Sequence, residues 1–155
     1  MHSGEVVAGN VGFAGKKMEY TVIGDTVNLA SRLEGTAKYY GITYLVGEQT
    51  RMLAPEACPY RELDKIRVVG KHLPVTIYEP QVGPGALSSA HLARFHAGLQ
   101  RYRQREWALA QDEFSALLGE LPDDKPSQLY VGRCDYFITQ PPAEDWDGVF
   151  NRAEK

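Results

Sequence analysis

Asn28 and Arg32 are the residues whose types and spacing come nearest to chemistry. They stand four positions apart, so in a helix they share a face, about 6 Å apart along the axis. An amide and a guanidinium projecting together near a helix N-terminus suit an oxyanion or a phosphate. The plainer alternative is a solvated face on which Arg32 pairs with a nearby acid. Other patterns carry less. Gly9 to Lys17 looks phosphate-binding, but five residues separate Gly9 from Gly15, and Lys17 stands where Ser or Thr should meet magnesium. His2 and Ser3 are neighbours in an extended run, so they point to opposite faces and do not make a base and nucleophile. Cys58 and Cys134 are far apart and lack metal-ligand spacing.

These residues need elements to hold them. Glu5–Gly12 reads as a strand, Gly12–Lys17 as a loop and Met18–Ile23 as a second strand, together a hairpin. Asp25 reads as the N-cap of a helix that runs to about Tyr40 and stops at Gly41. Its apolar side is Val27, Ala30, Leu33, Ala37 and Tyr40, which leaves Asn28 and Arg32 roughly opposite. Ile42–Val46 predicts another strand. Ile66–Val69 and Val75–Tyr78 flank a turn at Gly70–Pro74 and predict a further pair. The order β-β-α-β-(short α)-β-β predicts an α+β sandwich with helices on one side.

Composition narrows the function classes. The chain has 155 residues, 43% hydrophobic and 24% charged, which are ordinary values for a globular protein. Net charge is −3, which argues against nucleic acid or an anionic membrane as the main partner. The text has no apolar run long enough to cross a bilayer, and Met1–Glu5 does not read as a signal peptide. A cytoplasmic setting is the expectation. Residues 1–84 hold 9 basic and 9 acidic residues, and residues 85–155 hold 8 and 11. The text changes there from Gly-punctuated, β-branched runs to an Ala/Leu/Arg/Gln-rich stretch, across the breaker-rich Pro80–Gly85. The expected organisation is 1–80, a linker at 81–87, a helical segment at 88–140 and a tail at 141–155.

Ser3-Gly4-Glu5-Val6-Val7-Ala8-Gly9-Asn10-Val11-Gly12, then Met18-Glu19-Tyr20-Thr21-Val22-Ile23-Gly24-Asp25-Thr26-Val27-Asn28-Leu29-Ala30-Ser31-Arg32, closely resembles the class III nucleotidyl cyclases. Arg67-Val68-Val69-Gly70-Lys71 and Pro74–Glu79 resemble the end of the same domain. The resemblance implies a partial ferredoxin-like cyclase sandwich that makes cyclic AMP or cyclic GMP from the triphosphate and works as a head-to-tail homodimer. By that resemblance Asn28 orients the ribose, Arg32 stabilises the transition-state phosphate and Lys71 holds the triphosphate. Thr21 falls at the base-reading position, which is Asp or Thr in adenylyl cyclases and often Cys in guanylyl cyclases. Charge building on non-bridging oxygens is where a fixed guanidinium helps most. A threonine hydroxyl can both donate to and accept from adenine.

The sequence departs from the family in one respect. The magnesium or manganese ions expected of the parent enzyme are held in the family by two aspartates of the N-terminal half. Neither pattern occurs here, so no metal ligand is assigned, and Asp25 reads as a cap. Residues 91–124 fit one tetratricopeptide-like repeat, with Gly98, Ala110, Phe114, Leu117 and Pro122 at its spacings, and a third helix begins near Pro126. The end, Pro141–Phe150, resembles the tail of many bacterial cyclases. The leading expectation is the C-terminal portion of an adenylate cyclase acting on ATP, inactive as an isolated chain. The alternatives are a guanylate cyclase and a catalytically silent dimerisation or regulatory module.

Overall fold

The structure, a computed structural model, describes residues 1–12, 18–67 and 74–150. The expected loop at 13–17 and the turn carrying Lys71 lie outside them. The order is β1 (Val7–Gly12), β2 (Met18–Ile23), α1 (Asp25–Tyr40), β3 (Val46–Gly47), α2 (Glu48–Leu53), β4 (Tyr60–Ile66), β5 (Val75–Pro80), α3 (Ser89–Arg103), α4 (Trp107–Glu120) and α5 (Lys125–Thr139). This is a mixed α+β architecture with two antiparallel sheets. β1 and β2 form a ribbon of their own, and the second sheet runs β3-β5-β4.

Helix α1 ends where its sequence predicts, and its C-cap Gly41 takes the left-handed φ of 63° that ends helices. Its start differs from expectation. Asp25 is the first helical residue, and the capping position belongs to Gly24, whose φ of 152° carries the chain out of β2. The buried stripe of α1 is Leu29, Leu33 and Tyr40, with Ala37 packed beside them, so Leu29 displaces Val27 and Ala30 from the expected core face.

The strands differ more. Expected strand Ile42–Val46 shrinks to Val46–Gly47, which pairs with Tyr78 and Ile77 of β5. On its other side the Met1 amine donates to Leu45 O, and Gly47 N donates to Met1 O at 3.3 Å, the pattern of a parallel bridge. A strand runs at Tyr60–Ile66, ahead of the expected Ile66–Val69, whose Val68 and Val69 lie outside the described residues. Its charged text hides it, because Arg61 and Asp64 are buried as ion pairs rather than solvated. The register slips by one between Glu62 and Asp64. That bulge lets Leu63 and Asp64 both face the interior, which strict alternation forbids.

Two apolar clusters result. One joins Leu29, Leu33, Tyr40, Leu45, Leu63 and Ile77. The other is built from α3, α4 and α5 around Phe95, Tyr102, Phe114, Tyr130 and Phe137, with Trp146 and Phe150 folded back onto it. Strand β4 touches both. Arg133 of α5 meets Asp64 at 2.6 Å and donates to the Tyr40 hydroxyl at 2.9 Å, and that hydroxyl donates to Asp64. Burial alone would lower the guanidinium's pKa, and the Asp64 carboxylate reverses that and raises it. The Tyr130 hydroxyl donates to Leu63 O at 2.7 Å. Arg61 pairs with Glu79 at 2.6 Å and Asp124 at 2.7 Å, while the other Asp124 oxygen caps α5 at Ser127 N. Pro80–Gly85, where the text changes, lies in a stretch between β5 and α3 with no helix or strand beyond Pro80.

Gly98 marks the closest approach of α3 and α4. A Cβ there would stand 2.9 Å from Phe114 Cζ, against a ring already stacked on Tyr130 with centroids 4.8 Å apart. Gly98→Val is therefore expected to cost about 1–3 kcal/mol by overpacking. Gly119→Ala, where a Cβ meets nothing within 4 Å, should cost nothing. Urea unfolding midpoints of the two variants check this.

Candidate functional site

Asn28 and Arg32 lie on the first two turns of α1, and both are exposed. Against the stripe that is actually buried, they sit roughly 115° round the helix, flanking the core face rather than opposing it. The alternative that Arg32 pairs with an acid is not what the structure shows. Arg32 makes no ion pair among the described residues, whereas Glu34 and Lys38 on the same helix pair with each other at 3.1 Å. A guanidinium left free beside an amide is able to take an external anion.

Three glycines explain how the chain fixes that end of α1. At Gly4 a Cβ would lie 2.6 Å from Thr26 Oγ1, so only glycine lets the N-terminal segment pass over the first turn. At Gly24 the positive φ makes the corner, and its carbonyl accepts from Val27 N and Asn28 N at 3.1 and 3.3 Å. At Gly47 a Cβ would meet the His2 ring at 2.9 Å, and Thr50 Oγ1 donates to Ser3 Oγ at 3.1 Å. The N-terminal residues thus wedge between β3 and the start of α1.

Thr21 lies mid-strand in β2, opposite Gly9, and is exposed. Both faces of the ribbon are open: Val7, Met18, Tyr20, Val22 and Ile23 are all more than two-fifths exposed. Thr21 and Asn28 are joined by the short β2–α1 corner, so the structure holds three of the four expected site residues on one continuous stretch. Lys71, the fourth, is outside the described residues. Among the described residues no three His, Cys, Asp or Glu side chains are grouped. No helix among them is long and apolar enough to cross a membrane.

Sequence reasoning missed the buried ions. Arg133 is 6% exposed and Asp64 2%, and neither was singled out from the sequence. The one available signal was local: Arg133 falls three residues after Tyr130 and four before Phe137, inside the apolar face of α5.

The family model of the adenylate and guanylate cyclase catalytic domain matches residues 1–79. An adenylate cyclase of Anabaena cylindrica is 44% identical over 82 residues, 51% of this chain and 16% of that protein. A terminal-differentiation-specific adenylate cyclase of Dictyostelium discoideum is 30% identical over 141 residues, 86% of this chain and 7% of that protein. An adenylate cyclase of Rhizobium meliloti is 38% identical over 79 residues, 51% of this chain and 12% of that protein. The crystal structure of the adenylyl cyclase CyaB from P. aeruginosa superposes with a TM-score of 0.44 and 32% identity over 56% of this chain and 43% of that one. The chain spans between 7% and 16% of the length of these curated relatives. With the matched residues forming the ribbon, α1 and the three-stranded sheet, this chain belongs to the adenylate and guanylate cyclase catalytic domain family.

Proposed function

We propose that this chain is the C-terminal part of an adenylate cyclase catalytic domain, which converts ATP to cyclic AMP and pyrophosphate. The observation that carries it is Asn28 beside Arg32: exposed, four residues apart, with the guanidinium free of any acid among the described residues. In the reaction the ribose 3′-oxygen bonds to the α-phosphorus, the bond from that phosphorus to the bridging oxygen breaks, and the 3′ proton leaves. Asn28 orients the ribose. Arg32 balances the charge that grows on the α-phosphoryl oxygens. Thr21 reads the adenine edge, and Lys71 holds the triphosphate. Magnesium or manganese, when bound, would supply Lewis acidity to the phosphates; in the family it is held by aspartates of the N-terminal half, so its ligands are assigned to no residue here.

The open ribbon supports a head-to-tail homodimer, since an apolar β-ribbon exposed on both faces leaves paired surface for a second copy. The fit of Gly98 against Phe114 supports reading α3 and α4 as one tetratricopeptide-like unit, with α5 closing it on β4. The protein acts in the cytoplasm in this reading. Base selectivity tests the adenylyl assignment. In a protein that joins this segment to an aspartate-bearing N-terminal half, ATP should be the better substrate. Thr21→Val, which keeps the shape and removes the hydroxyl, should erode the ATP/GTP ratio in kcat/KM about tenfold while changing total turnover less. GTP preferred before any mutation would make the chain part of a guanylate cyclase.

A further inference from the structure

A second cleft lies away from Asn28 and Arg32, where α3 meets the three-stranded sheet. It encloses about 620 Å³ and is lined by Arg51 of α2, Tyr60 and Glu62 of β4, Tyr78 of β5, and His96 and Arg103 of α3, with no residue of α1. That volume falls within the roughly 300–1,000 Å³ of small-molecule sites, which favour junctions between structural units.

Its polar groups are unevenly matched. Arg103 is neutralised by Glu62 at 2.6 Å. Arg51 pairs with no carboxylate among the described residues; its guanidinium carbon stands 5.5 Å from the centre of the Tyr78 ring and 6.0 Å from that of Tyr60. The Nε atoms of Arg51 and Arg103 are both buried and have no acceptor. His96 does not supply one, because its Nε2 already accepts from Glu62 N at 3.0 Å. That bond needs the neutral ring, and burial lowers the His96 pKa in the same direction, as do Arg61 and Arg103, with Glu62 opposing. The cleft therefore presents one cation without a carboxylate partner among the described residues, Arg51, beside two tyrosine rings. Glu48, exposed on the first turn of α2, also acts on Tyr78 against Arg51, so it offsets part of the Arg51 charge without pairing with it.

We propose that this cleft binds a small aromatic oxyanion, a carboxylate or a phosphate monoester, with Arg51 as the anchoring cation and Tyr60 and Tyr78 as the apolar walls. Bound there, the ligand would tie α3 to α2 and β5, so it would stabilise the chain against unfolding.

Isothermal titration of the 155-residue chain with benzoate, phenyl phosphate and the neutral isostere benzamide tests this. Benzoate or phenyl phosphate should bind saturably and raise the melting temperature, and benzamide should bind about tenfold or more weakly. Whichever anion binds tighter identifies the ligand class as carboxylate or phosphate ester. Arg51→Gln should weaken the anion about tenfold or more, whereas Arg32→Ala should leave its affinity unchanged, which separates this cleft from the proposed nucleotide site. Equal affinity for benzamide and the anions, or saturable binding of none of the three, would overturn the proposal. Loss of anion binding in Arg32→Ala would overturn it as well. The comparison of anion and isostere on the unaltered chain decides the matter even if an Arg51 variant fails to fold.

Discussion

Replacing Arg32 by alanine, in a protein that joins this segment to the family's N-terminal half, is expected to cut turnover on the order of a hundredfold while moving the Michaelis constant for ATP little. Removing one donor aimed at developing charge typically raises a barrier by ~3 kcal/mol, and the loss falls on the transition state because that is where the charge appears. Arg32 is exposed and joins no ion pair among the described residues, so its removal orphans no buried group there and should leave folding intact. Arg32→Lys should recover only part of the rate, since a point charge does not reproduce the planar fork. Steady-state kinetics with ATP, alongside a melting curve to confirm an intact fold, measure it. Unchanged turnover would remove Arg32 from the mechanism.

The largest expected effect on stability belongs to Arg133. Arg133→Met keeps the length and apolar stem but leaves Asp64 as a buried carboxylate, with only Tyr40 and its own local bonds to hold it. Breaking a buried pair from one side costs about 3–5 kcal/mol, a large part of the 5–15 kcal/mol that usually holds a domain together. The double change Asp64→Leu with Arg133→Leu should be far milder, because no charge is then left stranded. Denaturant unfolding of the single and double variants completes the comparison. A single variant within 1 kcal/mol of the parent, roughly the worth of an exposed pair, would mean that solvent reaches Asp64.

What the sequence made legible follows from where apolar patterning and backbone grammar agree. Helix α1 was readable at its C-terminal end, because Gly41 stops it and Leu33 and Tyr40 keep its period, while its cap fell one residue earlier than the Asp25 read from the sequence. The α3–α4–α5 faces were readable for the same reason, down to Gly98. Strand β4 was not, since Tyr-Arg-Glu-Leu-Asp-Lys-Ile spells a solvated segment unless partners for Arg61 and Asp64 are known, and the farthest of those partners lie 63 and 69 residues away. A one-residue bulge then breaks the alternation that remains. Of the candidate site, the Asn28–Arg32 spacing and exposure were legible from the helix period. The angle was not: choosing Ala30 over Leu29 for the stripe turned the pair roughly 40° too far from the core.

The way β4 serves both clusters has a consequence for how such chains diversify. Domain shuffling works when a cut passes through few contacts, and Pro80–Gly85 reads as an inviting cut in the text. Yet the segment after it carries Asp124, Tyr130 and Arg133, which hold Arg61, the Leu63 carbonyl and Asp64. A recombination that exchanged the helices alone would strand the Asp64 charge and the Leu63 carbonyl in β4 and leave Arg61 with Glu79 alone, at a cost no new linker could repair. Helical tail and β4 should therefore be inherited as a unit, with any change at 61 or 64 answered at 124 or 133. Grafts that carry residues 60–150 together should fold where grafts of 88–150 fail.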